Sequence, residues 1–409
     1  MKNDTEKRGG QSQDPVLADA TPAQAAPDSR LNRRAFLTGI GLGSAAFLLS
    51  PLHLPATFMN TGRELLSCIG SFGVGDTGTL HLLHVRNGKS TVLHSVPSVR
   101  PIAITLHPSR SLLYVANGIS EYQYHPRGTV EVFAVDPSSA KLELVHRQAL
   151  SLSAIRPTSL AVSPDDQNLL VTAFEGGTYN MLPLDRAGLP GAPSTILKQV
   201  GHGEHTTEQA SAHPSHVLFH PDAQFAIAAD YGADRLDILT TNGEDQGAPA
   251  FMVSARVDCP AGSGPRHLTL HNNGDLLAVA HNLRPSLSIF RISPGNSIQT
   301  LASTSRTAPP TAICFHPQQD VLYSAENHLT HRAFLTTWRI DRLSGSLRLA
   351  DQIAVPAAEV TAIHHTASRL WLASNRGLFA VQLSPHTGVP YEANMVAAVP
   401  NARSLVMFQ

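Results

Sequence analysis

The sequence contains little cysteine: Cys68, Cys259 and Cys314 are the only three among 409 residues. They lie far apart and form no Cys-x-x-Cys pair, which excludes cysteine-based zinc sites and a dense disulfide framework. We expect them to be small buried side chains. A single disulfide stays open as an alternative if the chain is exported to an oxidising space.

Charge and long apolar runs are also scarce. Charged residues make up 15% of the sequence and the net charge is -1, so no overall field attracts nucleic acid or an anionic membrane. The apolar stretch at residues 39–49 is shorter than the ~20 residues that a membrane-spanning helix needs. We therefore predict no nucleic-acid partner and no stable membrane insertion of the mature chain.

The N-terminal part is typical of an exported protein. Residues 1–31 are polar, with almost no large apolar side chains, and predict a disordered segment. Residues 32–56 contain Arg33 and Arg34 followed by a Gly/Ala-rich apolar stretch, and this pattern resembles a twin-arginine signal. It predicts export by the twin-arginine machinery, cleavage near Ala56, and a periplasmic or secreted location.

One phrase recurs six times between Ser98 and Gln382. An apolar strand leads through a turn, usually His-Pro or Ser-Pro, into a second apolar strand, and shorter strands follow. The copies begin at Pro101, Pro157, Pro214, Pro265, Pro310 and Val360. A repeat of roughly 50 residues with this composition is typical of four-stranded propeller blades.

The chain ends supply a seventh unit. Cys68 and Gly78 open two further strands, and residues 403–409 form a short β-branched and aromatic run that we expect to complete blade one. The sequence therefore predicts an all-β fold, a seven-bladed β-propeller of four-stranded blades over residues 66–409. A ring that closes on itself in this way favours a monomer.

Two phrases separate this chain from a generic propeller. Blade four carries Asp-Tyr-Gly-Ala-Asp-Arg at residues 230–235, and blade five opens with Gly-Pro-Arg-His at residues 264–267. With a third phrase at residues 170–178, they make the chain resemble the seven-bladed lactonase family, which includes a 6-phosphogluconolactonase and a carboxy-muconate cyclase. The resemblance implies hydrolysis of a small-molecule lactone, or binding of a sugar acid, in the central cavity at blades three to six.

The resemblance also assigns site residues. Arg266 matches the family arginine, and His213 matches the first histidine of the family's Pro-His-x-His phrase, so both are predicted to be catalytic. Ser215 falls on the second histidine. His216 is one position away and would point to the opposite side of a regular strand.

Two family residues are replaced in this chain. Asn282 stands where the family has a glutamate, and Asn327 occupies the aligned position of a second family arginine. Both are predicted to bind substrate together with Ser215, His216 and His267. The remaining predicted substrate contacts are Glu175 and Asp230.

Opening a lactone needs a base for water, donors for the developing oxyanion and a proton for the leaving alkoxide. Arg266 suits the oxyanion or a substrate anion because a guanidinium donates two parallel hydrogen bonds. His213 suits the base at neutral pH. The sequence leaves the carboxylate open among four candidates, which are Glu175, Glu208, Asp230 and Glu326. Asp230 also has a purely structural reading, as a residue that holds a β-turn through its backbone.

The sequence contains 21 histidines, and many of them are explained by a structural role. A histidine recurs at the same turn position in several blades, which indicates that it stabilises the turn; these residues are His107, His220, His271 and His316. The His-x-x-His pairs at 202/205 and 213/216 lack helical spacing and a carboxylate motif, so we predict no metal site and no cofactor.

Three functions remain open from the sequence. The chain is an exported lactone hydrolase, a propeller that kept the cavity for binding and lost hydrolysis, or a protein-interaction platform. The replaced glutamate at Asn282 weighs against the first, and fold alone does not decide among the three.

Overall fold

The computed structural model describes residues 64–86, 89–136, 139–221, 225–241, 251–328, 332–366 and 369–408. The predicted disordered segment and the predicted twin-arginine signal both lie outside these ranges. All regular structure within them is β-strand. No helix long and apolar enough to cross a membrane occurs there.

Twenty-eight strands form seven four-stranded antiparallel sheets. Blades 1 to 3 contain, in chain order, β1 (Glu64–Phe72), β2 (Gly78–Arg86), β3 (Lys89–Pro97), β4 (Pro101–Leu106), β5 (Leu112–Asn117), β6 (Thr129–Asp136), β7 (Lys141–Ala149), β8 (Pro157–Val162), β9 (Asn168–Ala173), β10 (Thr178–Pro183) and β11 (Thr195–Lys198).

Blades 4 to 7 continue the pattern. Their strands are β12 (Pro214–Phe219), β13 (Phe225–Asp230), β14 (Arg235–Thr241), β15 (Phe251–Asp258), β16 (Pro265–Leu270), β17 (Leu276–His281), β18 (Ser286–Ser293), β19 (Ser297–Ser305), β20 (Pro310–Phe315), β21 (Val321–His328), β22 (Arg332–Ile340), β23 (Leu347–Val355), β24 (Val360–Thr366), β25 (Arg369–Ser374), β26 (Gly377–Leu383) and β27 (Pro390–Ala397).

The last strand, β28 (Ala402–Phe408), closes the ring. It pairs antiparallel with β1, with Cys68 opposite Val406, and becomes the innermost strand of blade 1. In blades 2 to 7 the innermost strand is the first of the blade, and consecutive innermost strands contact each other around the whole ring. The predicted seven-bladed propeller, closed by its C-terminal strand, is confirmed.

Every innermost strand carries a β-bulge at its second residue, which has no partner on the neighbouring strand. We call this residue the bulge position. Blades 1 to 7 place there, in order, Arg403, Ile102, Thr158, Ser215, Arg266, Thr311 and Thr361.

Hydroxyl groups at the bulge position join neighbouring blades. The Ser215 hydroxyl donates to the Pro265 carbonyl of the next blade at 2.9 Å, and the Thr311 hydroxyl donates to the Val360 carbonyl at 2.7 Å. Thr158 and Thr361 make the equivalent contacts to Ser215 and Ala402 at 3.0 Å. We call these contacts seam bonds. Four of the seven blades therefore use this position to hold the ring together.

The hydrophobic core lies between adjacent blades, because the second and third strands are buried on both faces. β5, β13 and β17 are buried along their whole length, whereas the outer strand β3 is largely exposed. The two buried glutamates in these strands are paired: Glu131 accepts hydrogen bonds from Arg147, and Glu326 accepts from Nε and Nη2 of Arg306 at 2.9 and 2.8 Å.

The turn histidines lie on the lower face, where the innermost strand connects to the second. The Nδ1 atoms of His107, His271 and His316 accept hydrogen bonds from the backbone two residues further on, at 3.1 to 3.3 Å. This confirms their predicted role in the turns. The three cysteines are unpaired; Cys68 and Cys259 are buried and Cys314 is half-buried, so the disulfide alternative does not hold.

The seam between blades 6 and 7 contains a buried histidine. His365 is 9% exposed and stands at the strand position that other blades fill with Leu106, Val162, Phe219, Leu270 and Phe315. Its ring lies 4.7 Å from that of His316 and 6.2 Å from that of Tyr323. Neither ring nitrogen has a hydrogen-bond partner among the described residues. Burial, with smaller effects of His316 and His364, lowers the pKa of His365 to about 4.

Candidate functional site

The upper face carries most of the predicted site residues. We define it as the face where each innermost strand begins and where the second strand turns into the third. His213, Arg266, Asp230, Asn282 and Glu175 all lie at such strand ends. Blades three to five, far apart along the chain, therefore present these side chains on one face.

Four side chains form what we call the Arg266 cluster. The guanidinium carbon of Arg266 lies 4.7 Å from the ring centre of Phe174 and 5.9 Å from that of Tyr231. The ring of His213 stacks on Phe174 with centres 4.7 Å apart and 15° between the planes. Because Phe174 belongs to blade 3 and Arg266 to blade 5, the arginine side chain reaches across the top of blade 4.

Arg266 has no charge partner among the described residues. In the described part of the chain, neither a hydrogen bond nor a carboxylate within 4 Å is found for its guanidinium, although other half-buried arginines such as Arg235 and Arg306 are paired. Burial lowers the pKa of Arg266, and the Tyr231 hydroxyl partly opposes this. A guanidinium that is partly removed from water and not neutralised attracts an anion or a developing oxyanion.

The orientation of His213 fixes its tautomer. Its Nδ1 lies 2.9 Å from the Phe174 carbonyl, and a carbonyl only accepts, so Nδ1 carries the proton. The Nε2 atom, 3.4 Å from the Ser211 hydroxyl, is then an acceptor. In the neutral ring it is available to take a proton from water.

The phrase at residues 230–235 holds this cluster in place. The Asp230 carboxylate accepts the His213 backbone N–H at 2.7 Å and pairs with Arg235 at 3.1 Å. Asp234 accepts the backbone N–H groups of Gly262 and Gly264 at 2.6 and 2.8 Å. One aspartate therefore fixes the backbone of the histidine, and the other fixes the loop that leads into Arg266.

Gly264 is required in that loop for two reasons. Its φ is +63°, in the left-handed region that favours glycine. A Cβ at this position would lie 2.9 Å from both the Leu283 and the Tyr231 side chains. The glycine of the Gly-Pro-Arg-His phrase thus lets the chain pass beside Tyr231 and deliver Arg266 to the cluster.

His216 and His267 lie in an axial cavity of about 190 Å³, lined by residues of all seven innermost strands. Their ring centres are 5.6 Å apart. Burial, assisted by Arg266, lowers the pKa of His216 to about 4 and that of His267 well below its usual range. Nδ1 of His216 has no hydrogen-bond partner among the described residues. Burial thus disfavours the charged form of both rings, and Nδ1 of His216 is left for a ligand.

Of the other predicted ligand contacts, some bind other parts of the protein and one has a polar atom left for a ligand. Ser215 is buried and forms a seam bond. Both ends of the Asn327 amide bind the Val360 backbone, at 3.0 and 3.3 Å. Glu175 is exposed and pairs with Arg156 at 3.1 Å. By contrast, the side-chain oxygen of Asn282 is buried without a partner within the described ranges.

The candidate carboxylates are largely engaged. Asp230 is held by three backbone N–H groups and Arg235, and Glu326 by Arg306. Burial and then the nearby Glu208 carboxylate raise the pKa of the Tyr231 hydroxyl, which puts Glu208 close to the Arg266 cluster. The described ranges contain no group of three or more His, Cys, Asp or Glu side chains placed to hold a metal ion.

Sequence reasoning missed Phe174 and Tyr231. Both directly follow the second strand of their blades, as Asn282 does in blade 5. Aligning the repeats would have placed these rings beside the start of the innermost strands. The signal was therefore the equivalence of positions between blades, not the composition around either residue.

Residues 67–309, more than half of the chain, match the family described as "Lactonase, 7-bladed beta-propeller". A 6-phosphogluconolactonase of Formosa agariphila is 21% identical over 266 residues, covering 64% of this chain and 71% of that protein. A 6-phosphogluconolactonase of Bacillus subtilis is 27% identical over 243 residues, covering 56% of this chain and 64% of the relative.

Solved structures share the fold. A putative 6-phosphogluconolactonase from Bacteroides fragilis superimposes with a TM-score of 0.76 at 17% identity, covering 86% of this chain and 99% of that chain. The periplasmic gluconolactonase PpgL of Pseudomonas aeruginosa gives a TM-score of 0.75 at 20% identity, with 85% and 99% covered. At these identities the likeness concerns architecture alone.

Proposed function

The chain belongs to the seven-bladed β-propeller lactonase family, and from that premise we propose that it hydrolyses a sugar or aromatic lactone bound at the Arg266 cluster. The observation that carries the proposal is the unpaired Arg266 guanidinium, packed on the same Phe174 ring as His213. Named relatives are 6-phosphogluconolactonases, which supports a lactone as the substrate class.

The geometry assigns a role to each group. Arg266 packs over the Phe174 ring, and its unpaired N–H groups suit a lactone carbonyl oxygen or a substrate carboxylate. Nε2 of His213 removes a proton from the attacking water, and the resulting imidazolium returns a proton to the leaving alkoxide. The His216–His267 pair contributes hydrogen bonds to the part of the ligand in the axial cavity, and Asn282 contributes them at the upper face.

Purified mature protein tested against sugar, acyl and aromatic lactones decides the proposal. We expect Arg266→Ala to lower kcat/KM by at least ~100-fold, and His213→Gln by about 100-fold or more. The matched control is Arg284→Ala, an exposed arginine of the same blade that pairs with Glu204. Equal losses in the control and in Arg266→Ala would remove the basis for this site.

One observation favours binding without hydrolysis. Among the four candidate carboxylates, Asp230 and Glu326 are fully engaged, and an amide stands at residue 282. A protein of this kind would be stabilised against heat by hydroxy acids, through Arg266, yet turn over no lactone. The same variants measured by thermal shift and by turnover distinguish the two functions.

We also propose that the chain is exported by the twin-arginine route and acts in the periplasm. The proposal rests on Arg33 and Arg34 before a short apolar stretch, and the structurally similar PpgL is described as periplasmic. Replacing both arginines by lysine should retain the protein in the cytoplasm of a host with this export system. Unchanged periplasmic recovery on cell fractionation would contradict it.

A further inference from the structure

Arg403 breaks the same structural pattern as Arg266. Both occupy the bulge position, where four other blades place a hydroxyl that forms a seam bond. An arginine there gives up that bond and brings a charge to the inner surface of the ring. Since Arg266 belongs to the proposed site, the second arginine at the bulge position points to a second ligand contact.

The surroundings place Arg403 in the cavity. It lines the same axial space of about 190 Å³ as His216 and His267. Its Nη1 pairs with Glu359 at 2.7 Å, and its guanidinium carbon lies 5.4 Å from the centre of the Phe72 ring. Its Nε is buried with no hydrogen-bond partner in the part of the chain that the structure describes.

Arg403 and Arg266 stand on opposite sides of the axis. Arg403 belongs to blade 1 and Arg266 to blade 5, and three steps around a seven-membered ring is the largest separation that it allows. The hydroxyls of Thr158, Thr361 and Ser404, which also line the cavity, donate to backbone carbonyls. Arg403, paired with Glu359, is therefore the polar side chain that lies across the cavity from the two histidines.

The two arginines differ in the charge that surrounds them. Within the described ranges no carboxylate lies within 4 Å of the Arg266 guanidinium, whereas Glu359 neutralises Arg403. A neutral guanidinium–carboxylate pair presents donors and acceptors side by side, an arrangement that suits neighbouring hydroxyl groups better than a second anion. We propose that Arg403 and Glu359 form a subsite that recognises the ring hydroxyls of a sugar lactone whose carbonyl end lies at Arg266. This inference rests on the proposed function and narrows its substrate class to polyhydroxylated lactones.

Two lactones of equal ring size test the subsite. Glucono-1,5-lactone carries ring hydroxyls and δ-valerolactone carries none. Loss of one or two hydrogen bonds in Arg403→Gln should raise KM for the first by about 10-fold and leave KM for the second within about twofold. The control is Arg100→Gln, which also stacks on Phe72, at 4.7 Å, and does not line the cavity. Equal changes for both lactones, or equal changes in the two variants, would overturn the subsite.

A binding measurement separates this inference from the proposed hydrolysis. Glu359→Gln leaves Arg403 unpaired, so calorimetry should show tighter binding of the diacid glucarate relative to gluconate, by roughly fivefold. Arg403→Gln should weaken gluconate binding and leave 5-hydroxyvalerate unaffected. If no lactone is hydrolysed but these shifts occur, only the hydrolysis fails. If lactones are hydrolysed without these shifts, only the subsite fails.

Discussion

Replacing Arg266 by threonine should make the protein more stable and less active at once. The bulge position of blade 5 is the one where an arginine without a carboxylate partner, among the described residues, stands in place of a hydroxyl. Threonine would restore the seam bond, with the Pro310 carbonyl of blade 6 as its acceptor. A residue kept at a loss of stability indicates selection for function.

The neighbouring blade sets the magnitude. The Thr311 hydroxyl donates to the Val360 carbonyl at 2.7 Å, and such a bond stabilises a fold by about 1 kcal/mol. Removing the half-buried charge of Arg266, and losing its stacking on Phe174, change the free energy of unfolding by about 1 kcal/mol each in opposite directions. We therefore expect Arg266→Thr to raise this free energy by about 1 kcal/mol, or Tm by about 2 °C.

Equilibrium unfolding in urea, with lactone turnover and hydroxy-acid binding on the same samples, measures both effects. Thr311→Val is the matched variant, because it removes a seam bond from the next blade and should lower the free energy of unfolding by about 1 kcal/mol. If Arg266→Thr is instead destabilised as much as Thr311→Val, Arg266 belongs to the frame. The argument for a functional arginine then fails.

Three further predictions concern residues outside direct ligand contact. The depressed pKa of His365 means that stability present above pH 6.5 is lost as the pH falls toward 4. Between pH 8 and pH 5, His365→Leu should therefore lose on the order of 1–2 kcal/mol less free energy of unfolding than the wild type. The control His386→Leu, at an exposed histidine, should show the wild-type dependence of stability on pH. Asp234→Asn, which loses acceptors for the loop before Arg266, should lower the free energy of unfolding by about 2 kcal/mol and raise KM; the exposed Asp258→Asn should change neither. Gly264→Ala should lower kcat/KM at least as strongly as Asp234→Asn, because the added Cβ would lie too close to the Tyr231 ring. Wild-type kinetics in Gly264→Ala would show that the close approach of Gly264 to Tyr231 is not required.

The fold was predictable because each blade has its own local sequence signals and these signals repeat along the chain. Each of the six copies of the phrase from Pro101 onward contains two apolar strands joined by a turn, and with the unit from the chain ends they make one closed arrangement of seven blades. The closing strand at Ala402–Phe408 was predictable because blade 1 otherwise lacked an inner strand. The turn histidines were also predictable, since a feature present in several blades serves the blade.

The site was predictable only in part, because it depends on which neighbours the ring brings together. Arg266 and His213 were identified from short phrases, but their common contact, Phe174, comes from another blade. Glu326 was a candidate base until its partner Arg306, twenty residues upstream, was placed beside it. Spacing in sequence carries no information about such pairings between strands.

Register was the second obstacle. A regular strand would turn His216 away from the cavity, yet the bulge at Ser215 directs the serine to the next blade and lets His216 line the axis. The equivalent bulge in blade 1 holds Arg403, where blades 3, 6 and 7 have threonine. A bulge depends on the pairing of two strands, so one strand's sequence does not reveal it.

The central claim concerns where the ligand's acid or carbonyl group lies. A crystal structure of the mature protein with the hydroxy acid of a hydrolysed lactone tests it most directly. The account predicts the ligand carboxylate within 3.2 Å of the Arg266 guanidinium, above the His216–His267 pair. A ligand bound at the lower face, or at the upper face with its carboxylate away from Arg266, would contradict it.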